Sequence, residues 1–227
     1  MESQPEQHVV KILAVENVTH NVKRFTLSKP EGYFFTAGQA TEISINKPGW
    51  QTEGRPFTFT SLNHWPDLEF TIKIYNDHDG VTNELGTLKP GDELIVHDVF
   101  GAIHYVGEGT FIAGGAGVTP FIAILRQLKE NGNLGNNRLL FSNRTAADII
   151  LQTEFSDMLN GNFINTLTDE KHPAYDNRRI DKDYLNEKIQ NKDQYFYICG
   201  PDPMVLGIRD ILVQLDIPSE KIITEEF

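Results

Sequence analysis

Three stretches of this 227-residue chain combine residue types that suit an anionic ligand carrying a flat ring. The first is Arg55-Pro56-Phe57-Thr58-Phe59-Thr60-Ser61. On a strand, Arg55, Phe57 and Phe59 face one way and Pro56, Thr58 and Thr60 the other. A guanidinium pairs with phosphate through its donor fork, and a ring can stack on a heterocycle. The same pattern also makes an ordinary barrel strand with core phenylalanines. The second stretch, Thr110 to Pro120, reads as strand, glycine turn and helix: an apolar run stops at Gly114 and Gly115, Gly117 and Val118 follow, and Thr119-Pro120 opens a periodic apolar segment. Thr119 is the expected N-cap with Pro120 at the first helical position. Such a turn admits a ligand where a Cβ would block it, and the helix N-terminus favours an anion; a plain tight βα turn has the same look. The third, Cys199-Gly200-Pro201, ends an apolar run and brings a lone thiol to a strand end, where an inert buried cysteine is an equal reading.

Weaker candidates lie between and beyond these. In Asp79-Gly80-Val81-Thr82, Gly80 lets the backbone turn and Thr82 is the expected cap of a short helical turn, whose amides make a second phosphate seat. A capped loop helix needs no ligand. Phe141-Ser142-Asn143-Arg144 ends another strand, where Arg144 either binds an adenosine 2′-phosphate or is a solvated loop residue. The terminus, Ile222 to Phe227, is expected to dock, because a free tail would expose isoleucines and a phenylalanine to water.

These residues need two kinds of scaffold. From His8 to about Tyr105 the texture is short, alternating and turn-punctuated, with strands at Val9–Val15, Val22–Leu27, Thr41–Ile45, Arg55–Ser61, Leu68–Tyr75 and Glu93–His97. That spacing predicts an antiparallel β-barrel or sandwich. The rest alternates strands (Thr110–Ala113, Arg138–Ser142, Phe163–Leu167, Tyr195–Cys199) with helices (Pro120–Glu130, Ala147–Leu159, Asp181–Ile189, Asp202–Leu215). Alternation of this sort means βαβ units around a parallel sheet. The expected domains are 1–106 and 107–227, abutting without a linker.

Charge and composition narrow the partners. Lys plus Arg number 20 against 32 Asp plus Glu, a net charge of −12 that argues against nucleic acid and anionic membranes. No apolar run approaches the ~18 residues of a membrane span. The N-terminus is polar and acidic, unlike a signal or transit peptide, so a cytoplasmic location is expected. The single Cys199 excludes an internal disulfide and a Cys-ligated iron–sulfur cluster carried by this chain alone. The 7 histidines show no metal-ligand spacing, so no metal is expected; the nearest cluster, His97, Asp98 and His104, reads as strand-edge and loop residues.

Taken in order, these motifs make the chain similar to the ferredoxin–NADP⁺ reductase superfamily, in particular to its short two-domain bacterial members without a fused iron–sulfur domain. The resemblance runs from about His8 to Phe227. Arg55-Pro56-Phe57-Thr58 resembles the family's Arg-x-Tyr-Ser/Thr motif with Phe for Tyr, and Gly80-Val81-Thr82 resembles its Gly-x-x-Ser/Thr motif with the hydroxyl one place early. Gly114 to Pro120 matches the Gly-Gly-x-Gly-(Ile/Val)-(Thr/Ala)-Pro motif, and Cys199-Gly200-Pro201 with Met204 matches the family's Cys-Gly-Pro before a Met-containing helix.

The resemblance implies an N-terminal FAD barrel and a C-terminal NAD(P)-binding domain. Arg55 and Pro56 with the Gly80–Thr82 backbone would hold the FAD pyrophosphate. Phe57 would pack on the isoalloxazine, and Thr58 would offer its hydroxyl near flavin N5. The backbone of Ile72, Lys73 and Ile74 would support the ribityl side. Gly114, Gly115, Gly117, Val118, Thr119, Pro120, Asn143, Arg144, Cys199, Gly200 and Pro201 would hold the nicotinamide nucleotide, with the catalytic Cys199 thiol near the reactive ring carbon and NADPH slightly favoured by Arg144. Glu225 would tune or relay protons, and Phe227 would cover the flavin. The implied activity is hydride transfer from NAD(P)H to FAD and onward electron delivery to a ferredoxin, a flavodoxin or an oxygenase component. An NAD(P)H:flavin reductase using free flavin, or a non-catalytic flavin-binding subunit, are the competing readings. The acidic balance is discordant with an acidic carrier, unless cations such as Lys73 cluster near the flavin edge.

Overall fold

Two sheets divide the chain, and the sequence changes texture where one gives way to the other. The computed structural model describes residues 7–77, 79–101 and 103–225. Strands β1 (His8–Thr19), β2 (Val22–Ser28), β3 (Ala40–Ile45), β4 (Arg55–Thr58), β5 (Asp67–Lys73) and β6 (Glu93–Phe100) form an antiparallel sheet in the order β4-β3-β6-β1-β2-β5. Its two outer strands come round to each other: the Thr60 amide, just past β4, donates to the Glu69 carbonyl of β5 at 2.8 Å. The inward side chains of the alternating strands fill the interior, where Phe59 stacks on Phe35 at 4.0 Å and meets Phe70 at 4.9 Å. Helix α1 (Val81–Leu85) plugs this core with Val81 and Leu85, one turn apart. Burying that pair starts the helix earlier than expected. Gly80 is therefore the N-cap, with no side chain capping it, and Thr82 lies inside the helix.

The second sheet is parallel, β7 (Gly109–Gly114), β8 (Arg138–Asn143), β9 (Phe163–Leu167), β10 (Tyr195–Cys199) and β11 (Ile222–Thr224), in the order β11-β10-β7-β8-β9. Its strands are nearly continuous apolar runs because both faces are covered. On one face lie α2 (Thr119–Glu130) and α3 (Gln152–Leu159) together with barrel residues Val22 and Ile103. On the other lie α4 (Lys182–Lys188) and α5 (Asp202–Gln214). Of the terminal segment expected to dock, Ile222–Thr224 adds a strand beside β10, and Glu226 and Phe227 lie outside the described residues. Among the described residues no helix is long and apolar enough to cross a membrane.

Two further helix starts differ from expectation. Gly115–Val118 form a 3₁₀ turn, so Val118 stands at the N-cap and Thr119 is already helical. The helix expected from Ala147 is broken: a capping box between Thr145 and Asp148 closes a 3₁₀ turn at Ala146–Asp148, Ile149 is extended, and Leu151 takes φ 51° before α3 begins. Burial of Ile149 and Ile150 in the core beneath the sheet overrides helical continuity there.

Helix α2 is the strut between the sheets. Gly38 (φ +92°) passes so close that a Cβ would sit 2.1 Å from the Ile103 carbonyl oxygen and 3.1 Å from Ile124 of α2. Two residues on, Arg126 is 8% exposed although it carries a guanidinium. It donates to Glu154 of α3 at 2.6 and 2.8 Å, to Glu69 of β5 at 2.6 Å and to the Thr60 carbonyl at 2.7 Å. Burial alone would lower its pKa, but Glu154 and Glu69 more than offset this and hold it above the usual arginine range.

Candidate nucleotide and flavin site

The glycine turn owes its glycines to two different causes. A Cβ on Gly117 would lie 2.5 Å from the Cys199 carbonyl group and from the Gly200 Cα, and one on Gly114 would lie 2.4 Å from the Met204 sulfur. These two glycines let β7 and the start of α2 pack directly on the Cys199–Met204 segment. Gly115 is different: its φ is +51°, and a Cβ there would meet nothing within 4 Å. Gly115 thus opens onto free space beside the N-terminus of α2, which no side chain caps. Uncapped amides next to an open glycine make a seat for a phosphate.

Neighbouring strands bring further groups to this carboxyl edge. Cys199 pairs with Ala113 and Gly114 with Ser142 across the sheet. Asn143, at the end of β8, is 5% exposed, and neither its amide nitrogen nor its oxygen has a hydrogen-bond partner among the described residues. Such an orphaned amide is rare in a native interior and costs ~1–3 kcal/mol unless something pairs with it. Arg144 leaves the sheet altogether: its side chain is 82% exposed, 3.9 Å from Asp169.

Cys199 is buried, and its thiol lies 3.5 Å from Glu225 Oε2. Burial, together with the facing carboxylate, pushes the thiol well above its usual range, so it stays protonated and donates. Burial also raises Glu225, partly offset by the bond from Cys199. A carboxylate whose folded pKa is raised contributes stability that is complete below its unfolded value and is lost as pH rises through the folded one. Glu225→Gln is therefore expected to raise thermal stability at neutral pH and to flatten its decline above the acid range, as measured by melting curves against pH. Unchanged curves would contradict the burial of this carboxylate. Phe227 lies outside the described residues.

The flavin candidates cluster on the barrel. Arg55 is exposed, donates to the Gly54 carbonyl at 2.6 Å and forms no ion pair with a carboxylate among the described residues. Beyond it along β4, Pro56 is exposed, Phe57 is half-buried against the barrel core and Thr58 is 8% exposed. At β5, Ile72 and Ile74 point into the core, and the Ile74 amide bonds the Asn21 carbonyl. By antiparallel alternation the Lys73 backbone faces away from β2, toward the unpaired edge. A free guanidinium, the uncapped α1 amides and an unpaired strand edge fit an anionic dinucleotide. By contrast, the cleft of about 640 Å³ between the β1–β2 end and α3, lined by Asn17, Arg24, Gln152 and Glu154 among others, contains none of the motif residues. Among the described residues no group of three His, Cys, Asp or Glu could hold a metal.

Sequence reasoning missed the Arg126 cluster. One signal was available, a single charge between the apolar run Phe121-Ile122-Ala123-Ile124-Leu125 and Leu128, but its partners Glu69 and Glu154 lie 57 and 28 residues away.

Comparison with known proteins agrees with this geometry. Residues 111–210 match the family model of the oxidoreductase NAD-binding domain. The chain is similar to the reductase component of propane 2-monooxygenase from Rhodococcus jostii (strain RHA1), 25% identical over 235 residues and covering 96% of this chain and 62% of that protein. It is also similar to NADH-cytochrome b5 reductase 1 from Bos taurus, 27% identical over 241 residues, covering 88% of this chain and 79% of that one. Among solved structures, the FAD/NAD-binding domain of nitric oxide dioxygenase from Vibrio cholerae O1 biovar El Tor superposes with a TM-score of 0.86 at 20% identity, covering 96% and 98% of the two chains. A ferredoxin NADP⁺ reductase from Neisseria gonorrhoeae, with bound FAD and NADP, superposes at 0.80 with 21% identity, covering 94% and 92%. The chain spans about two thirds or less of the monooxygenase reductases it matches, 62% and 66% of their lengths.

Proposed function

We infer that this chain, by fold a member of the ferredoxin–NADP⁺ reductase superfamily, is an FAD-dependent oxidoreductase that takes hydride from NAD(P)H and passes electrons to a separate acceptor. The observation that carries this reading is the glycine turn, braced by Cys199-Gly200 behind and open at Gly115 in front, in a chain whose barrel presents an exposed Arg55 with no carboxylate partner among the described residues. We assign 1–106 to the flavin and 107–227 to the nucleotide.

FAD, when bound, supplies acceptance of a hydride and release of its electrons singly. The protein's part is to bind and orient. Arg55 neutralises the pyrophosphate, aided by backbone at Gly80, Val81 and Thr82 and by Pro56 beside it. Phe57 provides an apolar face without the hydroxyl a Tyr would bring, Thr58 offers a buried hydroxyl, and the backbone of Ile72 to Ile74 borders the same edge. Gly114 to Pro120, Asn143 and Gly200-Pro201 hold the nucleotide. Cys199, kept as a neutral thiol, gives the nicotinamide an uncharged neighbour, while Glu225 is poised to hold a proton. Phe227 enters this reading through its resemblance to the family's terminal aromatic. Copurification of stoichiometric FAD supports a bound cofactor; a colourless protein that reduces added free flavin would instead make it a flavin reductase.

The acceptor we propose is an oxygenase component or a small electron-carrier protein, supported by the likeness to monooxygenase reductase components. A net charge of −12 disfavours an acidic carrier unless cations gather near the flavin edge; Lys73, whose ammonium lies over the Tyr75 ring at 5.6 Å, is one. A cytoplasmic setting accords with the one free, buried cysteine.

Arg144 has the exposure needed to meet a 2′-phosphate, though Asp169 competes for it. Arg144→Ala is expected to weaken NADPH binding by about tenfold, the worth of one charged hydrogen bond, and NADH hardly at all. Titration of both nucleotides decides the point, and equal losses would remove Arg144 from the site.

A further inference from the structure

We propose that Arg126 is a positioning residue that fixes the nucleotide sheet to the flavin strand and so sets how the two ligands meet. The inference rests on the reading just given, and its evidence is geometric. Helix α2 begins at the glycine turn and carries Arg126 seven residues later, about 10 Å along its axis. There the guanidinium grips three acceptors from three elements: Glu154 of α3 through two nitrogens, Glu69 of β5, and the carbonyl of Thr60, two residues past Thr58. Thr60 is tied in twice more, its hydroxyl to Glu69 Oε1 at 2.8 Å and its amide to the Glu69 carbonyl. The grip therefore falls where the proposed flavin strand leaves the barrel.

Other contacts sit on the same stretch of helix. The Arg126 guanidinium lies 5.4 Å from the Trp65 ring centre, and Glu130, one turn on, faces His64 at 3.2 Å. Ile124 closes over Gly38, while Gln39 accepts the Phe59 amide at 3.1 Å. Only the planar five-donor fork of arginine spans Glu154, Glu69 and Thr60 together; a lysine ammonium is a single point charge. An arginine kept for stability alone has no need to reach the barrel, since Glu154 on its own side already pairs with it twice.

The test compares Arg126→Met, Arg126→Lys and the double variant R126M/E69Q, which removes the more buried of the two carboxylates that lose their partner in the first. Each is measured for FAD content, for affinity toward oxidised nucleotide, for the limiting anaerobic rate of flavin reduction, and, without nucleotide, for amide hydrogen exchange. In R126M and R126M/E69Q the expected result is a limiting rate about 100-fold lower, since ~1 Å of misplacement far from the chemistry can cost that much. FAD content and nucleotide affinity stay within about twofold, and exchange rises across 59–73 and 122–130. Arg126→Lys falls between. A double variant that binds FAD and keeps a native limiting rate, or unchanged exchange in those segments, overturns the proposal. If the native protein is not reduced by NAD(P)H, the proposed function fails, and the exchange data still judge whether Arg126 holds the interface.

Discussion

Gly117→Ala is expected to slow reduction by NAD(P)H by about 100-fold or more while the barrel stays folded. The added methyl would lie 2.5 Å from the Cys199 carbonyl carbon and oxygen and from the Gly200 Cα. All three are backbone atoms inside a paired strand and its exit, so no rotamer change relieves the overlap. The turn must lift off β10, at about 1–3 kcal/mol of overpacking, and it takes the N-terminus of α2 with it. Gly114→Ala is the milder control, because its nearest contact is the movable end of Met204. Stopped-flow reduction and a melting curve check the pair; a Gly117→Ala protein with native rates would mean that the turn does not place the nucleotide.

Arg55→Ala is expected to release the flavin. Arg55 has no carboxylate partner among the described residues, so its charge is free for a ligand and its loss strands no buried group. A charged hydrogen bond is worth ~1.5–3 kcal/mol, which converts to FAD bound about 10- to 150-fold more weakly. Because Arg55 is exposed, the melting temperature of the flavin-free chain should hardly move. The check is a flavin titration beside a thermal scan of the cofactor-free variant. Unchanged flavin affinity would take Arg55 out of the site.

Much of the scaffold was legible because it rests on local pattern. Period-two alternation marked the barrel strands, and continuous apolar runs marked β7, β8 and β10. The glycine turn lies where Gly114-Gly115 and Pro120 announced it. Helix starts were harder to read: Thr82 and Thr119 are good caps in isolation, yet Val81 and Leu85 pull α1 forward, and the 3₁₀ turn at Gly115–Val118 moves the cap of α2 to Val118. The candidate residues stand out as motifs, whereas their packing does not. Nothing local tells that Gly117 is a packing glycine and Gly115 an open one, since the atoms that crowd Gly117 come from the end of β10, more than 80 residues on. The Arg126 cluster is hidden in the same way, built from β5, α2 and α3, with Glu69 and Glu154 lying 57 and 28 positions from Arg126.

The central claim is hydride transfer to a flavin held on the barrel from a nucleotide held at the glycine turn. Anaerobic mixing of the purified, FAD-loaded protein with NADPH and with NADH, followed at the flavin's long-wavelength absorbance band, tests it most directly. The account predicts rapid bleaching by at least one nucleotide, and return of the colour when an electron acceptor is added. A band that stays unbleached with both nucleotides present would contradict it and leave a flavin-binding protein without reductase activity.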